Sequence, residues 1–358
     1  MIVALGCGWL PSGQSGWAVE PDSSSADNAS RVGSSLGSLE IALNALDPER
    51  SPPVVTALAA SRDGKYLAAA GDDHVIRLID VTSGRIVSAL TGHTDWIQSV
   101  VFSSDSKQLF SAGNDGRVLH WQYGQGDSAR EIIRLPYAIR CLSLSTHQQL
   151  LAVAGFDPEL GLWDLQQGVW RQRFKCDSGD HRCVRFSSAG DKLLCAGRDG
   201  HVRVWDTRNG QILESIALHR DRVQTAAFSV SGDTITSVGD DRRIVRYDLV
   251  SHEIVLDRDL RGAKLRSLCL VNDHLIAAAG ADNSIHIFDV LADQELGQLR
   301  GHTGSVAVMC VCADLLVSGS FDTTVRLWKI DSSLSQAPGL TKPVSLAPLE
   351  VDPNMEIR

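Results

Sequence analysis

A chain of 358 residues with 43% apolar residues, 31 glycines and 11 prolines has globular composition and enough apolar side chain for a large core, which excludes a disordered chain. Its formal charge of -9 argues against a general affinity for nucleic acid, which depends on Lys and Arg displacing counterions from phosphates, although it leaves room for a local basic patch. No run approaches the length needed to span a bilayer, so no transmembrane segment is expected.

The first eighteen residues, MIVALGCGWLPSGQSGWA, begin apolar and end on small Gly16 and Ala18 flanking Trp17, the pattern of a signal-peptide cleavage site without the basic start. Two readings stand: the truncated signal peptide of an exported protein, or an irregular N-terminus of a cytoplasmic one. Pro21 to Gly37 is rich in Ser, Asp and Gly and reads as a linker, so residues 1–37 form one N-terminal segment.

Ser38 to Leu46 (SLEIALNAL) has the pattern of an outer β-strand, and from there to residue 330 the chain repeats itself. The segments HVIRLID (74–80), RVLHWQY (117–123), ELGLWDL (159–165), HVRVWDT (201–207), RIVRYDL (243–249), SIHIFDV (284–290) and TVRLWKI (324–330) are seven copies of one strand. Their central bulky residues are Ile79, Trp121, Trp163, Trp205, Tyr247, Phe288 and Trp328, spaced 42, 42, 42, 42, 41 and 40 residues apart. Six residues before each stands an aspartate: Asp73, Asp115, Asp157, Asp199, Asp241, Asp282 and Asp322. Eight residues before stands a glycine in six copies and Ser320 in the last; a small residue followed by a polar turn marks a tight reversal between strands.

Two apolar stretches precede each turn and a fourth strand follows the aromatic one, as in RIVSAL and QILESIA, so each unit supplies four short strands. A sheet of that size cannot bury both faces alone, and its neighbours must stack around an axis. The expected fold is all-β: a seven-bladed β-propeller of four-stranded antiparallel blades over residues 38–330. The last aromatic strand has no obvious successor, so Ser38 to Leu46 is expected to complete the last blade and leave no unpaired ring edge.

Residues 331–358 contain Pro338, Pro343, Pro348 and Pro353 and read as an extended tail. The eight cysteines form no CxxC pair and no Cys/His cluster with zinc spacing. Most, including Cys141, Cys183, Cys195, Cys269, Cys310 and Cys312, sit inside apolar strand patterns and read as buried free thiols. No metal and no cofactor are expected.

The repeat resembles the WD-repeat (tryptophan-aspartate repeat) family, with Gly-His pairs at Gly92-His93 and Gly301-His302, a partial match at Leu218-His219, and Trp-Asp at Trp163-Asp164 and Trp205-Asp206. The resemblance implies hydrogen-bonded tetrads that pin the turns. The matching sets are His93, Ser111, Asp115 and Trp121; His302, Ser318, Asp322 and Trp328; and His219, Ser237 and Asp241 with Tyr247 in place of Trp. Asp73, Asp157, Asp199 and Asp282 lack the His, so their turns are expected to be held less firmly.

His, Ser and Asp are also the ingredients of a hydrolase triad, but here they recur at fixed offsets and folding explains them. Gly33-Ser34-Ser35-Leu36-Gly37 fits a nucleophile elbow in letters only, since it lies in the linker, and Gly124-Gln125-Gly126 lacks the βαβ context of a dinucleotide site. A propeller enzyme would need converging His or carboxylates in its inner columns, which hold Ala57, Ser99, Cys141, Cys183, Thr225 and Ser267. No catalytic residue is assigned.

In the family that it resembles, the contact face carries the entrance to the first strand of each blade and the residue before each turn aspartate. By column this places Arg140, Arg182, Arg198, Arg222, Lys264 and Arg266 on blades three to six, with Trp96, Phe156 and Phe321 as apolar anchors. A basic crescent on an acidic protein points to an acidic or phosphorylated segment; the competing reading pairs these charges with Asp180 and Asp240. The expected function is a non-catalytic protein-binding scaffold or adaptor, a monomeric propeller within a complex. The runner-up is a sensor or accessory module for a separate enzyme.

Overall fold

A computed structural model describes residues 38–45, 51–124, 128–145, 147 and 149–330. The N-terminal segment 1–37, Leu46 and the tail 331–358 lie outside the described residues, and with them the elbow-like Gly33–Gly37 and Gly126.

Among the described residues, 28 strands form seven four-stranded antiparallel sheets. The first blade shows the logic. Its strands Tyr66–Gly71 and Val75–Asp80 are buried almost throughout, the innermost, Val55–Ala60, mixes buried and half-buried residues, and the outermost, Ile86–Thr91, faces solvent along much of its length. Continuous apolar strands are what a sheet covered on both faces demands. The apolar core is accordingly seven layers, each between two neighbouring blades. Leu150, Leu162 and Phe174 of blade three, for instance, pack on Val184, Leu193 and Trp205 of blade four.

The last blade is composite. Ser38–Ala42 pairs antiparallel with Thr324–Lys329, Ser38 facing Trp328 and Ala42 facing Thr324. The Leu43 N–H extends the pairing by donating to Thr323 O at 3.0 Å. Arg326 reaches back to the Glu40 carboxylate and to Ser38 Oγ, while Ile41 and Leu43 enter the layer that joins the last blade to the first. The ring is therefore closed by the N-terminal strand, as the unpaired last repeat requires.

Every blade also carries a register shift at the start of its innermost strand, placing Thr56, Gln98, Arg140, Arg182, Gln224, Arg266 and Ala307 at seven equivalent β-bulges. The turn glycine is what lets the bulged segment approach. A Cβ on Gly155 would meet Ala138 O at 2.2 Å, and one on Gly197 would meet Asp180 O at 2.1 Å.

Candidate protein-binding face

The turn aspartates brace the rim of this face. His93 Nδ1 lies 2.8 Å from Asp115 Oδ2 and its Nε2 lies 2.7 Å from Ser111 Oγ, which also accepts Trp121 Nε1–H at 2.8 Å. Blade seven repeats this with His302, Asp322, Ser318 and Trp328 at 2.8, 2.7 and 2.8 Å. In blade five His219 meets Asp241 at 2.8 Å and Ser237 at 2.9 Å, with Tyr247 in the aromatic column. Burial alone would raise these three carboxyls. The histidine and the turn amides outweigh it and hold Asp115, Asp241 and Asp322 below the usual carboxylate range.

Three of the four blades without that histidine recruit another partner, which the sequence reading did not anticipate. Arg77 meets Asp73 at 2.6 Å, Arg203 meets Asp199 at 2.7 Å and His286 meets Asp282 at 2.7 Å, each from four residues further on in the neighbouring strand position. In blade three that position is Gly161, and a Cβ there would meet the Trp170 ring at 2.4 Å. Asp157 instead accepts the Glu159 N–H at 2.7 Å.

A bulge turns its extra side chain out of the regular pleat, and here all seven bulged residues line the central channel, which encloses about 470 Å3. Beneath them lie Ala57, Ser99, Cys141, Cys183, Thr225 and Ser267. Among the described residues the lining holds Arg140, Arg182, Arg185 and Arg266 and no carboxylate or histidine. Burial pushes the Cys141 thiol up, so it is no ready nucleophile.

The bulge column and the column before the turn aspartates share one surface: Gln98 donates to Asn114 at 3.2 Å and Gln224 to Asp240 at 2.9 Å. Phe156 lies 5.8 Å from the Arg140 guanidinium and 5.6 Å from that of Arg182, and Arg266 lies 5.7 Å from the Phe321 ring. Asp180 sits between Arg182 and Arg222, at 2.8 and 3.2 Å. The Arg182 Nε approach is close but too poorly aligned to satisfy either atom as a hydrogen bond. Asp240 stands 3.8 Å from both Arg222 and Lys264.

Half of the crescent is thus internally neutralised. Arg140, Arg198 and Arg266 have no carboxylate partner among the described residues. Burial, and then the neighbouring Arg182 charge, push Arg140 down to about 10. Trp96 is 42% exposed and Arg198 is exposed, and neither joins the Phe156 network; Phe156 and Phe321 are 44% and 39% exposed. The repeat register picks out this column, with Arg140, Arg182 and Arg266 in it, but the bulge that turns it into the channel is a register shift and invisible to a repeat period.

The family model described as "Nucleolar protein 10-like, N-terminal domain" matches residues 43–247, and that described as "WD domain, G-beta repeat" matches residues 293–329. Nuclear distribution protein PAC1 of Coccidioides posadasii is 30% identical over 102 residues, 28% of this chain and 22% of that protein. Nuclear distribution protein PAC1-2 of Uncinocarpus reesii is 33% identical over 97 residues, 26% of this chain and 21% of that one. Cilia- and flagella-associated protein 57 of Mus musculus is 31% identical over 98 residues, 27% and 8%. The match spans less than a quarter of each relative, between two and three repeats.

Proposed function

This chain belongs to the β-propeller family described as Nucleolar protein 10-like, N-terminal domain, and on that premise we propose that it is a non-catalytic platform whose bulge-side face captures an acidic or phosphorylated protein segment. Propellers of the WD-repeat kind typically bind other proteins. The curated relatives carry names from nuclear distribution and from cilia and flagella, so they lend a repeat and not a partner.

The observation that carries the reading is Arg140. A half-buried cation without an ion pair and beside a second arginine is a site that an incoming anion stabilises. Phe156, exposed between Arg140 and Arg182, supplies the apolar contact that a peptide side chain needs.

Arg140→Gln is the decisive variant, since Arg140 makes no ion pair that the fold depends on. Arrays of acidic, phosphoserine and neutral peptides are probed with both proteins. Wild-type binding should be enriched on the acidic and phosphorylated sets, weaken with salt and fall about tenfold or more in the variant, the order expected for a charge-assisted bond of ~1.5–3 kcal/mol. Equal binding by the two proteins, or no enrichment, overturns the proposal.

A further inference from the structure

Five histidines are buried among the described residues: His93, His181, His219, His286 and His302. Four of them place both ring nitrogens against carboxylate or serine oxygens. His181 does not. Its Nδ1 lies 3.6 Å from Cys195 Sγ, and its Nε2 is buried with no hydrogen-bond partner. The one polar neighbour of this buried ring is thus a thiol on its Nδ1 side, where a metal ion shared between nitrogen and sulfur would give Nδ1 a stronger partner; Nε2 is unpaired either way.

The blade-four register shows what replaced the tetrad. Cys195 stands ten residues before Trp205, in the column that holds Ser111, Ser237 and Ser318. The column of His93 and His219 holds Asp177 here, whose side chain is fully exposed, and the adjacent Cys176 turns its thiol inward instead. The two sulfurs are 3.8 Å apart, and the ligand atoms of Cys176, His181 and Cys195 all lie within 4.8 Å of one another.

We propose that Cys176, His181 and Cys195 form a zinc site between blades three and four. Zinc bonds of roughly 2.3 Å to sulfur and 2.0–2.1 Å to nitrogen at the tetrahedral angle put two thiolates about 3.8 Å apart and a thiolate and an imidazole nitrogen about 3.6 Å apart. The sulfur–sulfur and Nδ1–sulfur separations here are 3.8 and 3.6 Å. Three protein ligands would leave the fourth position of a tetrahedral ion to a water or a small anion.

Charge favours the same assignment. Two thiolates neutralise Zn2+, and Arg203, held by Asp199 at 2.7 Å, sits beside them. Both thiols would give up their protons on binding, so affinity for the metal rises with pH. The spacing of five residues from Cys176 to His181 and fourteen from His181 to Cys195 matches no zinc pattern read along the chain, and only the strand-to-strand return brings the three together.

The test uses the full chain, stripped with chelator under reducing conditions and titrated with Co2+. Thiolate-to-cobalt charge transfer and the visible bands of a tetrahedral ion should grow to saturation at a single equivalent and vanish on adding Zn2+. Cys195→Ser, a residue that this column already accepts in blades two, five and seven, should lose most of the charge-transfer intensity while circular dichroism stays unchanged. Cys176→Ala gives the same readout should the first variant unfold. Absence of the charge-transfer band, a band insensitive to both variants, or a Cys176–Cys195 disulfide in place of metal binding overturns the proposal.

Discussion

Nε2 of His286 lies 2.7 Å from Oδ2 of Asp282, the turn aspartate four residues before it. The same ring meets Glu295 Oε1 through Nδ1 at 2.8 Å, so both nitrogens face carboxylates and the imidazolium is the form that satisfies them. Burial would lower its pKa, but Asp282 and then Glu295 outweigh burial and raise it above 6.5. A raised folded-state pKa gives stability that is fully present below the unfolded value and is lost as pH rises through the folded one. The urea midpoint of the wild type should therefore fall as pH rises above about 6.5, and His286→Gln should lack that component. Parallel pH profiles for the two proteins would refute the pairing.

The opposite sign applies at the tetrads. Asp115, Asp241 and Asp322 are held low in the folded protein, so their stabilisation is present above the unfolded carboxylate value of about 3.9 and is lost as pH falls through the folded values. Asp322→Asn should flatten the acid limb of the stability profile relative to wild type. Acid titration followed by tryptophan fluorescence reads this directly, and an unchanged limb would count against it.

Ser318 and Ser237 occupy the same column but carry different loads. Ser318 Oγ serves His302 and the Trp328 indole, whereas Ser237 serves His219 and makes a long 3.4 Å bond to Val245 O, with a tyrosine in the aromatic column. Ser318→Ala leaves two buried groups unpaired and should cost about 1–3 kcal/mol or more; Ser237→Ala should cost less. Denaturant melts of both variants rank them, and the reverse order would be inconsistent with the network.

Closure by Ser38–Ala42 makes its buried side chains as important as any in the ring. Ile41 and Leu43 are 6% and 1% exposed, and truncating either to Ala should cost about 2–5 kcal/mol. Removing residues 1–42 should lower the melting temperature by more than either substitution. Calorimetry showing an unshifted transition would mean that the ring holds without this strand.

The sequence made the blade number legible because folding repeats a chemical requirement in every blade: an aspartate for the turn and a bulky residue ten positions after the column of Ser111 and Ser318. Closure was legible for a related reason, since the last repeat lacked a strand and Ser38 to Leu46 had the pattern of one. What a period cannot express is contact between columns. Arg77, Arg203 and His286 substitute for the missing tetrad histidine from a different column, and the bulges that aim Arg140 and Arg182 at the channel are backbone events with no residue signature. Pairing with Asp180 and Asp240 was one of the two readings the columns offered, and the structure divides the crescent: Arg182, two residues from Asp180 in its own blade, and Arg222 and Lys264 from the next blades meet these carboxylates, while Arg140, Arg198 and Arg266 do not.

Ser38 and Arg326, which meet in the closing blade, stand 288 residues apart along the chain. Synthesis proceeds from the N-terminus, so the strand that seals the ring emerges first and finds its partner last. Until Thr324–Lys329 is in place, the nascent protein is an open horseshoe whose first blade lacks a neighbour on one side. The entropy of joining such distant segments grows only slowly with length, but the joining must follow the completion of every other blade. Assembly of this protein is therefore gated by a single late encounter between its two ends.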